Sequence, residues 1–481
     1  MFSSTKKYLF KKISFNLMDG LFKMGYGKVT GRILKKIKNI VGEENIFTDK
    51  DELEKYSHDE MPIPKFYFPE VVVKPENTQQ ISKILVLANK EKIPVTPRCG
   101  GTGLCGGCVP IYGGILLSLE KMNRVLEVDE ENFVAVVEAG VALSDLYKAV
   151  EAKGLYYPLL PGEESACVGG NVATNAGGMR AVKYGVTRNF VLGLEAVLPT
   201  GEIIQTGGKF VKSSTGYNLT QLLIGSEGTL AVITKIVLRL MVTPKTRFVL
   251  LVPFNNLYDA IKTVPKILKC GVIPTGIEFM EKDAIKIVEE YVGRKIPHSE
   301  AEASLLIIFD AEKEEEAYEA SEIIGKVCME NGALDVLFPD TEKAKKELLE
   351  FREKFYYALK NFGKMDLADV VVPRSRIAEF LVEVKKISKR YGLPVVGYGH
   401  AGDGNVHLHV YGDGKLRLKI FNEIYKIGKK FDGAISGEHG IGLEKKRFFL
   451  KIVDKKQLEL MKGIKKVFDP NNILNPGKIF D

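Results

Sequence analysis

Four of the chain's six histidines fall within forty residues near its C-terminus. GYGHAGDGNVHLHV carries His400, His407 and His409, and AISGEHGIGLEKKR carries Glu438 and His439. His407 and His409 stand two apart on an expected strand and so face the same side, while the AGDGN turn before them can fold His400 back toward them. A single histidine is more often a satisfied core residue. Several imidazoles and a glutamate among glycines shift that balance, because two imidazoles plus one carboxylate with open positions suit Zn²⁺, Mn²⁺ or Fe²⁺.

A second chemistry is written in glycine. Pro97 to Pro110, PRCGGTGLCGGCVP, holds five glycines in fourteen residues. Such a backbone reaches positive φ and leaves N–H groups uncovered, which suits a loop around a pyrophosphate. Gly101, Gly103 and Gly106 match G-x-G-x-x-G, but a Rossmann loop opens a helix. Here Pro110 and Gly113-Gly114 lead into an apolar, strand-like GILLSL. A second small-residue stretch runs through Gly169, Gly170, Ala173, Ala176, Gly177 and Gly178. It allows close approach to a flat or phosphorylated ligand, and Asn171, Thr174 and Asn175 add neutral hydrogen-bonding groups.

The elements that must position these groups follow from pattern. PEVVVKPENTQQISKILVLANKEKIPVTP reads strand, helix, strand, with Asn77 and Gln80 as a capping pair. VLEVDEENFVAVVEAGV reads as a hairpin, and Leu143 to Lys153 as a short helix. Beyond Arg247, helix 256–269, strand 272–279, helix 281–292, strand 304–310 and helix 312–330 alternate, followed by a charged helix over 341–361. That alternation predicts helices on a mainly antiparallel sheet.

The 481 residues suffice for two or three domains, and no apolar run approaches the roughly 20 residues that cross a bilayer. With no signal peptide evident, a cytoplasmic location is expected. Residues 1–40 hold nine Lys and one Arg against the single Asp19, while the whole chain carries +8, so the remainder is close to neutral. This speaks against a nucleic-acid enzyme, whose basic groups spread over a binding face. Leu9, Ile13, Leu17 and Leu21 share one helical face among lysines, the pattern of a segment that lies peripherally on an anionic membrane; a frayed, solvated arm or a true start at Met24 are the competing readings. Of the six cysteines, Cys99, Cys105 and Cys108 sit in slots where any small residue serves, which is favoured over four thiolate cluster ligands completed by Cys167.

Taken together, these motifs resemble the flavin-linked oxidase and dehydrogenase family that includes D-lactate dehydrogenases and the glycolate oxidase flavin subunit, within the vanillyl-alcohol oxidase and p-cresol methylhydroxylase superfamily. The resemblance runs from about Ile40 to the end. It implies an α+β architecture: a basic extension over 1–39, a two-subdomain PCMH-type FAD-binding domain over 40–245, an α/β cap over 246–430 and a C-terminal return to the flavin over 431–481. It also implies that Pro97, Arg98, Cys99, Gly100, Gly101, Thr102, Gly103 and Leu104 lie on the pyrophosphate. Pro161, Gly162, Gly169, Gly170, Asn171, Thr174, Asn175, Gly177, Gly178, Tyr184, Gly185, Glu227, Gly228 and Ile233 would complete the FAD enclosure, with Asn475 near the isoalloxazine. No histidine lies between His58 and His298, so a histidyl link from this domain is excluded and non-covalent FAD is expected.

By the same resemblance His400, His407 and Glu438 hold a divalent metal (Zn, Mn or Fe), and His439 is the active-site base. Asn405 and His409 belong to the substrate pocket, and Arg352 and Lys364 bind the substrate carboxylate. The implied reaction is oxidation of a D-2-hydroxy acid such as D-lactate or glycolate to the 2-oxo acid, with hydride passing to flavin N5. With no ferredoxin-type cysteine run, electrons are expected to leave for an iron-sulfur partner, a quinone, a cytochrome or an electron-transfer flavoprotein. A homodimer or heteromeric complex is the expected assembly. Two alternatives share the fold: a non-redox flavoprotein like alkylglycerone-phosphate synthases, and a flavin-binding subunit of a larger redox complex.

Overall fold

A computed structural model describes residues 25–62, 65–339, 341–412 and 414–480. The basic amphipathic stretch up to Met24 lies outside the described residues. The first half is built on two sheets. In the smaller one Ile46–Phe47, Val71–Val73, Ile115–Ser118 and Val95–Arg98 lie side by side, the last three parallel. The helix Thr78–Glu91 makes one of these parallel crossovers, capped by Asn77, whose side chain accepts from the Gln80 N–H. The other crossover, from Arg98 to Ile115, is the glycine-rich loop itself. The larger sheet is antiparallel, in the order Val125–Asp129, Val134–Glu138, Val232–Arg239, Val191–Val197, Ile203–Gly207. One apolar core joins the two sheets. The helix Gly31–Val41, which straddles the expected boundary at residue 39, packs Ile33, Ile37 and Val41 into that core.

The second half is a six-stranded sheet in which every neighbouring pair is antiparallel. Its order is Thr246–Phe254, Ala303–Ala311, Gly276–Glu281, Val395–His400, Asn405–Tyr411, Met365–Val371. Both faces are covered. Phe248, Leu250 and Val252 point into one core with the helices Leu257–Ile267, Glu314–Met329 and Ile377–Tyr391, and Val249 and Leu251 point into another with Lys282–Val292 and Phe355–Phe362. Burial on both faces explains why these strands read as continuous apolar runs rather than alternating ones.

Two local expectations need correction. The strand expected at 272–279 is Gly276–Glu281. The helix expected over 341–361 is two helices, Glu342–Glu353 and Phe355–Phe362, broken at Lys354, whose N–H is shared between Glu350 and Phe351 carbonyls. The C-terminal tail returns to the first half: the Val95 N–H donates to the Ile473 carbonyl at 2.8 Å and the Asn475 N–H to the Val95 carbonyl at 2.7 Å. Among the described residues no helix is long and apolar enough to cross a membrane.

Candidate active site and flavin cradle

The two chemistries meet in one cavity of about 550 Å³. Its floor is the glycine-rich loop Pro97–Leu104 with Pro161, Gly162, the start of the helix Val168–Thr174, Gly177, Gly178, Gly228 and Ile233. Its opposite wall is Arg352, Tyr356, Tyr398, His400, His407, Glu438 and His439. Gly101 has φ +74°, and among the described residues the N–H groups of Gly101, Thr102, Gly103 and Leu104 donate to no protein atom. Asn171 likewise lines the cavity with a buried Nδ2 that has no partner. A Cβ on Gly170 would meet nothing within 4 Å, so the helix there presents bare backbone to open space. Unspent N–H donors beside open volume are what an anionic diphosphate and its flat rings require.

The histidines converge as the strand pattern implies. The hairpin Val395–His400 and Asn405–Tyr411 sets His400 against Asn405 and brings the two Nε2 atoms of His400 and His407 to 3.3 Å. Glu438 Oε1 lies 3.5 Å from His400 Nε2, 3.3 Å from His407 Nε2 and 3.8 Å from His439 Nε2. Three lone-pair donors this close repel one another unless a positive species lies among them, and a proton serves one pair at a time. Ligands about 2.0–2.2 Å from a Zn²⁺-like ion stand roughly 3–3.5 Å apart, so the donor set fits a divalent cation. Asp369, His407, Glu438 and His439 also offer atoms within 4.8 Å of one another. The oxygens of Asp369 are already committed, and His400 Nε2 stands nearer Glu438 Oε1 (3.5 Å) than His439 Nε2 does (3.8 Å).

Asp369 is the organiser that sequence reasoning missed. It sits fully buried in the strand Met365–Val371. Its Oδ2 accepts from the N–H groups of Gly437 (3.1 Å), Glu438 (3.1 Å) and His439 (3.0 Å), from Ser436 Oγ (2.9 Å) and from Lys445 Nζ (3.2 Å). Burial raises its carboxyl pKa, but its neighbours His439, Lys445 and His407 and the N–H of His439 outweigh this and hold it well below the ordinary range. Glu278 was missed too. It lies opposite His400 in register, and both its oxygens are 2.8 Å from His400 Nδ1. The available signal was an acid inside an apolar strand: GIEFME and MDLADVV.

Burial, with Lys445 nearby, lowers the pKa of His439 to about 4 against the pull of Asp369, so its imidazole is neutral at pH 7. Glu438 is driven the other way: burial raises its pKa, but hydrogen bonds from His400 and His407 hold it far below the carboxylate range.

Several expected positions lie elsewhere. Lys364 is exposed beyond the helix Phe355–Phe362 and does not line the cavity. Asn405 stands behind the wall, its Nδ2 donating to Asp369 Oδ1 at 2.7 Å and to the Val370 carbonyl. His409 is fully buried beneath Tyr398, with ring centroids 5.4 Å apart and neither nitrogen partnered. Asn175 caps the helix Val168–Thr174 in a left-handed conformation and accepts from the Arg188 N–H. Tyr184 turns away to Asp310 at 2.8 Å, and Gly185 takes φ +86° against Asn189. Asn475 props the wall from behind through the Gly107 and Glu227 carbonyls, both at 2.8 Å. Glu227 lines the cavity, but its carboxylate is spent on the Ile441 and Gly442 N–H groups, each at 2.7 Å.

Residues 69–207 match the FAD binding domain family, and residues 243–479 match the family of FAD linked oxidases, C-terminal domain. A D-lactate dehydrogenase of Anaerostipes hadrus is 43% identical over 467 residues, covering 94% of this chain and 98% of that protein. The chain belongs to the FAD-linked oxidase family. As a member it is a flavoprotein oxidoreductase, and the open, donor-rich cradle described above fits such a cofactor. A D-lactate dehydrogenase of Archaeoglobus fulgidus is 44% identical, covering 88% of this family member and 95% of that protein. The glycolate oxidase subunit GlcD of Bacillus subtilis is 38% identical, covering 94% and 97%. Among solved structures p-cresol methylhydroxylase with substrate bound aligns at TM-score 0.78 and 19% identity, covering 93% of this chain and 96% of that one. Alkyldihydroxyacetonephosphate synthase aligns at 0.74 and 18%, covering 94% and 86%. Identities this low establish the PCMH-type fold alone.

Proposed function

We propose that this flavoprotein oxidises a D-2-hydroxy acid of the lactate or glycolate class to the 2-oxo acid and is reoxidised by a separate acceptor. The observation that carries this reading is the convergence of His400, His407 and Glu438, with His439 beside them, in the same cavity as the FAD cradle. The names of the relatives, D-lactate dehydrogenase and glycolate oxidase subunit, support the substrate class.

Bound FAD supplies the two-electron acceptor, and a divalent cation on His400, His407 and Glu438 supplies positive charge for the α-hydroxyl. The chain's own residues do the rest. His439, neutral at pH 7, takes the hydroxyl proton at Nε2, while Asp369 Oδ2 at 3.6 Å from Nδ1 orients the ring and stabilises the charge it gains. Arg352 is buried with its Nη2 on Glu278 and its guanidinium 4.6 Å over the Tyr398 ring, leaving Nε buried and unpartnered. A substrate carboxylate gives that donor an acceptor. Tyr356 and Tyr398 close the pocket side and limit water.

The test is an anaerobic visible spectrum of the purified chain with D-lactate, L-lactate, glycolate or D-2-hydroxyglutarate, before and after a chelator. Bleaching by a D-2-hydroxy acid that stops on chelation supports the reading. A yellow protein that no 2-hydroxy acid bleaches overturns it.

A further inference from the structure

Glu278 has no place in the reaction as described, yet both its oxygens are engaged behind the site. It is fully buried in the strand Gly276–Glu281. Register places it directly across from His400, so its carboxylate meets Nδ1 with both oxygens at 2.8 Å, while Oε2 also accepts from Arg352 Nη2. Glu278 thus touches both the imidazole whose Nε2 faces His407 and Glu438 and the guanidinium assigned to the substrate carboxylate, and it reaches neither substrate nor flavin itself.

We propose that Glu278 is a positioning residue that locks the cation site and the carboxylate clamp into one unit. The chemistry is one of acceptors. A carboxylate offers only lone pairs, so His400 must present Nδ1–H to it and keep Nε2 bare for a cation. The second oxygen holds Arg352 at a fixed distance from the same imidazole. An amide of the same size reaches both neighbours only with its oxygen at the Oε2 position, and its NH₂ group then stands against Nδ1–H where Oε1 lies at 2.8 Å; turned the other way, the NH₂ group opposes the guanidinium. To relieve that clash His400 moves its proton to Nε2, the atom the cation needs, or Arg352 is released. This inference rests on the cation and clamp roles proposed above.

The experiment is Glu278→Gln in the FAD-loaded chain, with Zn²⁺ or Mn²⁺ affinity measured by competition against a chromophoric chelator and metal content by mass spectrometry. Affinity is expected to fall about 10- to 100-fold with FAD content unchanged, the range seen when an outer-shell partner of a metal-binding histidine is lost. KM for the best 2-hydroxy acid should rise in the same variant as Arg352 loosens. A cation affinity within threefold of the parent chain overturns the proposal. Should the Gln variant fail to retain FAD, Glu278→Asp keeps the charge and both acceptors but withdraws them by one methylene. A several-fold loss of cation affinity is expected there, and an unchanged affinity overturns the proposal equally. If the parent chain binds neither cation, it is the metal reading of the site that falls.

Discussion

Asp369→Asn removes one charge without changing the size of the side chain, and its cost can be worked from the neighbours. Lys445 Nζ sits 3.2 Å from the carboxylate, with its own side chain only 3% exposed. Removing the anion leaves that ammonium buried without a counter-charge, a loss of about 3–5 kcal/mol for a buried pair. The remaining amide oxygen can still accept from the N–H groups of Gly437, Glu438 and His439, so the turn need not detach outright. At roughly 2–4 °C per kcal/mol for a domain of this size, Tm should fall by about 10 °C. Because the folded carboxyl titrates well below its ordinary value of 3.8, its stabilisation is present above that pH and is lost only as pH falls through the folded value. The Tm difference between parent and variant should therefore be flat from about pH 5 to 9. The assay is thermal unfolding by circular dichroism, with FAD release read by fluorescence and flavin reduction by stopped flow. Since Glu438 and His439 hang on the same carboxylate, reduction should slow at least tenfold. A Tm within about 2 °C of the parent, with an unchanged reduction rate, would refute Asp369 as the organiser of this turn.

Three further outcomes are expected. His439→Ala should keep FAD bound but slow flavin reduction by about 10²- to 10⁴-fold, and reduction at the parent rate would remove the base assignment. Gly170→Leu should fold but lose the yellow colour, because its side chain enters open space at the cradle. Gly169→Ala should instead lose stability, since its Cβ would stand 2.7 Å from the Ala139 Cβ; an FAD-replete Gly170→Leu protein would move the flavin elsewhere. Burial raises the pKa of Asp59 to about 6 against the Met61 and Gly106 N–H groups, so its favourable state is the protonated one. Stability is then highest below 3.8 and is lost as pH rises through about 6. Relative to Asp59→Asn, the parent chain should lose about 3 kcal/mol across that window in denaturant melts, and a constant difference would show the shift to be wrong.

Local pattern carried much of this molecule. Asn77 and Gln80 announced their helix, the glycines of Pro97–Leu104 announced a backbone that lies open along a cavity, and the two-residue period of His407 and His409 placed both on one strand. That period did not say which of the two reaches the cavity. His407 does and His409 does not: Tyr398 stacks on His409 and Tyr356 stands 6.3 Å from its ring, and these two tyrosines line the cavity in its place. Lys364 stands away from the cavity for a related reason. Its distance from Arg352 in sequence spans a helix break at Lys354, and the second helix carries it to an exposed edge.

What was illegible is long-range. Glu278 and His400 are 122 residues apart, and no local pattern pairs those strands. The acids themselves were nevertheless visible, because an ionised side chain in an all-buried strand is tolerated only where cationic or N–H partners arrive from elsewhere. Glu278, Glu281 and Asp369 all meet that description. Glu281, however, pairs with Lys385 at 2.5 Å and with the Gly397 N–H at 3.1 Å, away from the cavity. An acid in an apolar strand therefore signals a buried partner, not a site. It becomes evidence for a site when its partner is a group that has a second face to use, as His400 does with Nε2 and Arg352 does with Nε. Lys385, whose single ammonium already meets Glu281 and the Val395 carbonyl, offers no such second face to the cavity.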